Sequence, residues 1–372
     1  MKIPLIKPYI DDDVKKRVIE VLESGYLTEG PVTKEFENKF SEYIGCKNSI
    51  AVTSCTTGLE IALRAIGIKE GDEVIVPDYT YPATASVVGI VGAKAVITDV
   101  DKDSMLIHYD QLEAAITEHT KAIIPVSGFG NPLDYDRLNE IKNKHGIFII
   151  EDAACSVGAE YKNLKVGTFA DLTVFSFHPR KFITTGEGGM VTTDNQQWAD
   201  WMNSYKHFGM QINSTVRGEI QFDMIGTNYK LSNILSAVGL SQLNKIDVLL
   251  AKRRELAKNY DDMILDTDVI SKPKTTEFGN HSYQSYCVFI KHRDKVMKLM
   301  IEEGIEVQIG TYSLHKHKAF SSGKYVENKN DYPNSIHAFN HCLTLPLYHN
   351  LSYAEQKIII NKLEESILRC AE

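Results

Sequence analysis

One lysine in this sequence stands where covalent catalysis is plausible. Lys181 follows a strand-like run, residues 171–177, and precedes a glycine-rich turn that ends at Gly189. Such an order presents a single amine at the edge of a sheet, where lysines form imines with carbonyl compounds, most often pyridoxal phosphate (PLP). An isolated lysine is normally a solvated surface residue, but the flanking Ser-Phe-His and Thr-Thr-Gly-Glu-Gly-Gly residues favour a Schiff-base lysine here.

A carboxylate lies where it could activate that cofactor. Asp152 follows the apolar run 147–150, 29 positions before Lys181. An acid at a strand end can pair with the pyridine nitrogen of PLP and keep it protonated, so that the ring accepts electrons. The alternative is an acid that caps the following segment.

A candidate phosphate site follows another predicted strand. Cys55 and Thr56 lie between a strand at 49–54 and a helix predicted at 59–66. Backbone N–H groups and hydroxyls at the start of a helix bind phosphate, although simple capping explains the pattern equally well. Ser176 could add a second hydroxyl to the same phosphate.

Two more residues are candidates for cofactor contacts. Tyr81 follows the strand predicted at 73–77 and could stack on the pyridine ring, or it could be an ordinary half-buried tyrosine. Asn228 precedes a helix predicted at 231–243. It would either cap that helix or donate to phosphate if its loop crosses to a partner subunit.

These residues must be positioned by an alternation of short apolar strands and helices. The pattern predicts a mostly parallel, three-layer α/β sheet, whose ligands collect at the carboxyl ends of the strands. After about residue 266 it changes to two strands, 283–290 and 306–310, a helix at 294–303 and a last helix at 354–371. We therefore predict a large domain over residues 1–245 and a small α+β domain over residues 246–372.

Composition excludes some classes of partner. The net charge is −8 with both signs interspersed, which argues against nucleic acid or an anionic membrane as the main partner. The six cysteines show no CxxC pair and no zinc-type spacing, so we expect reduced thiols, no metal and a cytoplasmic protein. We expect no signal peptide and no membrane span, because no apolar run approaches about 20 residues.

Taken together, these residues resemble the DegT/DnrJ/StrS-type family of PLP-dependent sugar aminotransferases. The resemblance covers nearly the whole chain. It rests on SGYLTEGP at 24–31, SCTTG at 54–58, EDAA at 151–154, SFHPRKFITTGEGG at 176–189, GTNYK at 226–230 and Leu345-Pro346.

The resemblance implies an aspartate-aminotransferase-like fold with a seven-stranded sheet, and a homodimer with active sites at its interface. It also implies roles for single residues. Lys181 would carry the cofactor, Asp152 would pair with its ring nitrogen, Tyr81 would stack on it, Thr56, Ser176 and the backbone of Cys55 would hold its phosphate, and Asn228 would reach the partner's phosphate.

Three positions depart from the family's pattern. Cys155 stands where the family often has Gln or His beside the cofactor, and a thiol is a poorer hydrogen-bonding group. Lys230 replaces the usual Arg and loses bidentate reach, and Ser127 replaces a frequent His. We expect these changes to alter specificity rather than abolish chemistry.

The function that the resemblance implies is transamination. Glutamate would load the amino group, giving pyridoxamine phosphate and 2-oxoglutarate, and a nucleotide-diphosphate-linked keto-sugar, expected to be a 4-keto-6-deoxy sugar, would accept it. Tyr26, Lys230 and His315 are the candidate substrate contacts, although Tyr26 could equally be a packed tyrosine and His315 a loop histidine. Two alternatives remain open: a PLP-dependent desulfurase or eliminase that uses the Cys155 thiol, and a non-catalytic PLP-binding sensor.

Overall fold

A computed structural model describes residues 2–211, 219–328 and 331–371 of the chain. The α-helices in these residues are α1 (Asp12–Ser24), α2 (Pro31–Ile44), α3 (Cys55–Ala65), α4 (Ala83–Ile90), α5 (Tyr109–Ala114), α6 (Tyr135–His145), α7 (Gln196–Tyr205), α8 (Asn233–Leu243), α9 (Ile246–Met263), α10 (Arg293–Glu302), α11 (Pro333–His341) and α12 (Tyr353–Ala371).

The strands complete the described secondary structure. They are β1 (Asn48–Val52), β2 (Glu73–Pro77), β3 (Tyr79–Thr80), β4 (Lys94–Thr98), β5 (Thr120–Ile123), β6 (Phe148–Asp152), β7 (Glu160–Tyr161), β8 (Leu164–Lys165), β9 (Leu172–Ser176), β10 (Gly189–Thr193), β11 (Ile270–Ser271), β12 (Gly279–Asn280), β13 (Tyr286–Ile290), β14 (Gln308–Ile309), β15 (Tyr312–Ser313), β16 (Val326–Glu327) and β17 (Cys342–Leu345).

Local signals set the ends of the first helices. The side chain of Asp11 accepts a hydrogen bond from Val14 N and caps α1, which ends at Gly25 with φ 69°. Helices often end at a residue in the left-handed backbone conformation, and glycine adopts this conformation without steric cost. The helix predicted at 59–66 instead starts at Cys55, because Ser54 and Thr57 form a capping box.

The large sheet has the strand order β1-β10-β9-β6-β5-β2-β4-β16. All pairs from β9 to β16 are parallel, whereas β10 runs antiparallel to both β9 and β1. The sheet has one strand more than the seven expected, because the two-residue strand β16 pairs with the edge strand β4. A strand of two residues carries no periodic signal that sequence analysis could detect.

Helices cover both faces of this sheet, as the predicted three-layer architecture requires. One apolar cluster includes Phe36 and Phe40 of α2, Leu138 of α6 and Leu240 of α8. The other joins α3, α4 and α7 to the opposite face and includes Leu59, which is fully buried. Side chains of successive strand residues enter opposite clusters, so nearly continuous apolar strands are buried on both sides.

The small domain is built on an antiparallel sheet with the order β11-β13-β17-β14. Its core also takes in the start of the chain, since Ile3 is buried there and forms a bridge with Ile305. Helix α9 contributes to both cores, with Leu249 in the large one and Tyr260 in the small one. The division at residue 245 stays a prediction, with α9 as the element that the two cores share.

Within the described residues, no single helix combines the length and the apolar character needed to cross a membrane. Only the pair α8 and α9, bent by 62°, would pass on length and composition when taken together.

Candidate active site

The parallel strands bring their carboxyl ends to one edge of the sheet, where Asp152 is the last residue of β6. One carboxylate oxygen accepts a hydrogen bond from Thr84 Oγ1 at 2.8 Å, and the other accepts from Ala154 N at 3.1 Å. Burial raises the pKa of Asp152, although these two donors oppose the shift. The bond from Ala154 N caps the turn that follows β6, as the alternative interpretation predicts, and the bond from Thr84 is additional to that capping.

Lys181 lies in the loop between β9 and β10, beside the same carboxylate. Its Nζ donates to the Sγ of Cys155 at 3.2 Å. Burial alone would lower the pKa of Lys181, but Cys155, Cys55 and Asp152 outweigh it and raise the pKa above its usual value. The fold therefore brings the Lys181 amine and the Asp152 carboxylate close enough for their charges to interact.

The start of α3 adjoins this pair. Ser54 Oγ accepts from Thr57 N at 3.1 Å and Thr57 Oγ1 accepts from Ser54 N at 3.0 Å, so the cap is provided by these two residues. The N–H groups of Cys55 and Thr56 then begin the first turn, where backbone donors have no partner within the helix. This end of a helix attracts anions.

A second strand brings a hydroxyl to the same place. A Cβ on Gly189 would lie 2.6 Å from the carbonyl carbon of Ser54, so β10 approaches the start of α3 in a way that only glycine permits. Ser176 is the strand partner of Gly189, and among the described residues its Oγ contacts only His178 N, at 3.4 Å. The hydroxyl of Ser176 therefore lies beside the helix start.

These groups fit PLP. A buried carboxylate suits its ring nitrogen, an amine suits its carbonyl, and a helix N-terminus with a hydroxyl suits its phosphate. One detail differs from expectation at Cys55. The sequence indicates only the backbone of Cys55 as a cofactor contact, but its thiol also lies 3.9 Å from a carboxylate oxygen of Asp152.

Two predicted cofactor contacts lie at the surface of the single chain. The side chain of Tyr81 is 66% exposed, with its ring centroid 6.2 Å from that of Tyr312. Asn228 is exposed as well, and it does not cap α8, because Ser232 Oγ accepts from Leu235 N there. Their contacts with the cofactor stay predictions.

The candidate substrate residues have varied surroundings. Tyr26 is exposed, and the Nζ of Lys230 lies 4.8 Å from the ring centroid of Phe208. His315 Nδ1 lies 2.7 Å from the fully buried carboxylate of Asp78. This pairing anchors one side of the imidazole, so a substrate contact would have to use Nε2.

Sequence analysis missed the polar groups that support the site. They are Thr84, which donates to Asp152; Gln284 and Gln242, which bond the backbone of the lysine loop; and His349, whose ring lies near Phe182 O. Each is separated from its partner by 58 to 167 positions, so no local pattern could have indicated it.

Comparison with known proteins decides the family. Residues 8–364 match the DegT/DnrJ/EryC1/StrS aminotransferase family. The chain belongs to this family. This aminotransferase is 36% identical to GDP-perosamine synthase of Caulobacter vibrioides over 321 residues, 84% of this chain and 85% of the relative. It is 31% identical to the spore coat polysaccharide biosynthesis protein SpsC of Bacillus subtilis, over 98% of this chain and 97% of the relative.

Solved structures agree with the sequence relatives. A candidate sugar aminotransferase of Streptococcus pneumoniae, solved in its PLP and pyridoxamine phosphate forms, is 30% identical. Its pyridoxamine phosphate form superposes with a TM-score of 0.92 over 99% of each chain. The aspartate-aminotransferase-like fold and the PLP cofactor are thereby confirmed, and the chain is a PLP-dependent sugar aminotransferase. These findings favour that activity over the desulfurase and sensor alternatives.

Proposed function

We propose that this aminotransferase moves the amino group of glutamate to the keto carbon of a nucleotide-diphosphate-linked sugar, with a 4-keto-6-deoxy sugar as the expected acceptor. The observation that carries the proposal is the meeting of the Asp152 carboxylate, the Lys181 amine and the start of α3 at one sheet edge. The relative named GDP-perosamine synthase supports a nucleotide-linked substrate.

Within this site the chain's own groups would hold and move protons. When bound, PLP supplies the carbonyl that takes up an amino group and a ring that stores an electron pair. Asp152 would keep a proton on the ring nitrogen, as a carboxylate beside a cation does. Lys181 would take a proton from the α-carbon of the donor and later deliver one to the former keto carbon of the sugar.

We also propose that two copies of the chain associate, as the family resemblance implies. Several apolar side chains near the site are exposed in the single chain, including Phe208, Phe222 and Ile225. Large exposed apolar groups that lie together are typical of a surface covered by a partner. A second copy would cover them and bring Asn228 towards the neighbouring phosphate site.

The first experiment separates the two half-reactions. Protein loaded with PLP is mixed with glutamate alone, and 2-oxoglutarate is measured over a single turnover. We expect about one equivalent per site, and Lys181→Ala should slow this step by at least about 10²-fold, because the residue that transfers the proton is lost. Lys165→Ala, a lysine on the short strand β8, is the control.

The second step supplies the acceptor. Aminated protein is mixed with nucleotide-linked 4-keto-6-deoxy sugars, and the product is identified by mass spectrometry as the amino sugar. Production of 2-oxoglutarate without transfer to any nucleotide-linked keto-sugar would contradict the proposed acceptor. Failure of glutamate to react, with another amino acid reacting instead, would contradict the proposed donor.

A further inference from the structure

The backbone on both sides of Lys181 is bonded to one side chain. Gln284 Oε1 accepts a hydrogen bond from Phe182 N at 2.6 Å, and its Nε2 donates to Arg180 O at 2.6 Å. Gln284 is itself buried. Because the two contacted groups belong to the residues immediately before and after the lysine, this amide determines the orientation of the segment that carries the amine.

The other end of this connection lies in the small domain. Gln284 stands just before β13, and its carbonyl accepts from Arg253 Nη2 at 2.8 Å. The same guanidinium nitrogen donates to Leu347 O at 3.1 Å, and Arg253 is almost fully buried on α9. The position of Gln284 is therefore set by the helix that the two domains share and by the segments beside it.

A second glutamine also bonds the loop backbone through both ends of its amide, three residues after Lys181. Gln242 Oε1 accepts from Thr184 N at 3.0 Å, and its Nε2 donates to Thr184 O at 2.7 Å. Gln242 belongs to α8 and is fully buried. The loop is thus bonded to a large-domain helix at Thr184, but to the small domain around the lysine itself.

We propose that Gln284 is a positioning residue for Lys181, whose amide bonds Arg180 and Phe182 and so makes the position of the amine depend on the small domain. The inference rests on the proposed function only in taking Lys181 as the group that transfers the proton. Proton transfer requires close placement of the donor atom, and a displacement of about 1 Å can cost on the order of 10²-fold in rate.

The test compares the two glutamines in the full-length, PLP-loaded protein. Gln284→Met and Gln242→Met each remove one bidentate amide at similar volume and leave two backbone groups of the loop without that partner, so both should lower thermal stability. We expect only Gln284→Met to shift the midpoint of the pH titration of visible cofactor absorbance, by about half a unit or more. It should also slow the donor half-reaction by about 10- to 100-fold, with donor KM within about twofold.

A conservative variant distinguishes positioning from general loosening. In Gln284→Glu, a carboxyl oxygen still accepts from Phe182 N–H, and the protonated form can also donate to Arg180 O. Its half-reaction rate relative to that of the native enzyme should therefore exceed that of Gln284→Met and rise as the pH is lowered. Since this variant keeps one of the two bonds, it also serves if Gln284→Met does not fold.

Equal titration shifts in the Gln284 and Gln242 variants would overturn the proposal, as would no shift in either. So would Gln284→Glu behaving like Gln284→Met at every pH. These measurements use no sugar. A protein that titrates as expected but aminates no nucleotide-linked sugar would leave this inference standing while contradicting the proposed acceptor.

Discussion

At the scale of single residues, two successive acids are both buried but accept hydrogen bonds from different donors. Glu151 and Asp152 are neighbours on β6, so their side chains point to opposite faces of the sheet. Asp152 accepts hydrogen bonds from Thr84 and Ala154, which oppose the rise that burial causes in its pKa. Glu151 accepts from Tyr135 at 2.7 Å, and its complete burial raises its pKa to about 7.

The raised pKa of Glu151 predicts a pH-dependent stability. Because burial raises the pKa of Glu151 from 4.5 to about 7, the stabilisation from its protonated form is complete below about pH 4.5 and is lost as the pH rises to about 7. Glu151→Gln mimics the protonated acid, so it should gain stability relative to the native protein over this interval, by up to about 3 kcal/mol. Urea unfolding at pH 5 and pH 8 measures the difference.

The control for that comparison is Glu140→Gln, on the exposed face of α6. It should change the free energy of unfolding little, and by similar amounts at the two pH values. A Glu151→Gln difference that did not depend on pH would show that the carboxyl is already ionised throughout this range.

At the scale of elements, the anion site depends on how closely α3 packs against the sheet. Two glycines permit the approach: a Cβ on Gly58 would lie 2.6 Å from Val174 Cγ1, and one on Gly189 would lie 2.6 Å from the backbone of Ser54. The first places the helix over β9, and the second places its first turn against β10. The position of the first turn of α3 therefore depends on its packing against β9 and β10.

Gly189→Ala should disturb this packing. The new methyl group meets backbone rather than a flexible side chain, so the start of α3 must move, at a cost of about 1–3 kcal/mol in stability. We expect weaker PLP binding, measured as the dissociation constant by absorbance titration. Gly323→Ala is the control, because the nearest atom to its Cβ would be 3.9 Å away. Unchanged affinity in Gly189→Ala would argue that the phosphate is held elsewhere.

At the scale of the whole molecule, part of the proposed site is open to solvent in the single chain. Tyr81 and Asn228, which the family resemblance assigns to the cofactor, are exposed, and the neighbouring Ile225 is 96% exposed. The backbone of the same loop is tied to the end of β1, since Tyr229 O accepts from Thr53 N at 3.1 Å. A partner that covers this loop would therefore sit beside the anion site.

A substitution that introduces one charge can test the proposed association of two copies of the chain. Ile225→Asp should shift the protein from dimer to monomer in light scattering, because a carboxylate cannot be buried unpaired in an interface. It should also weaken PLP binding if the partner completes the phosphate site. Leu265→Asp changes another apolar residue, 76% exposed at the end of α9, and should leave the dimer intact. A native protein that is monomeric when loaded with PLP would contradict the proposed association.

Much of the site follows from the sequence because its signals are local. Asp152 ends strand β6 and Lys181 lies in the loop after β9, and both strands are specified by their own neighbours. Ser54 and Thr57 set the helix start at Cys55, four residues before the predicted start. In a parallel sheet, strand ends with the same direction meet at one edge, so residues at those positions converge without knowledge of the side-chain packing. The alternating strands and helices likewise determine the three-layer architecture.

Tertiary structure alone decided which groups hold these residues in place. Gln284 lies 102 positions from Phe182, and Thr84 lies 68 positions from Asp152. Strand β10 and the edge strand β16 join the large sheet through pairing that their own short sequences do not specify. A buried amide or hydroxyl is stable only where the fold supplies its partner, and that partner is chosen by the packing of distant segments rather than by neighbours in the chain.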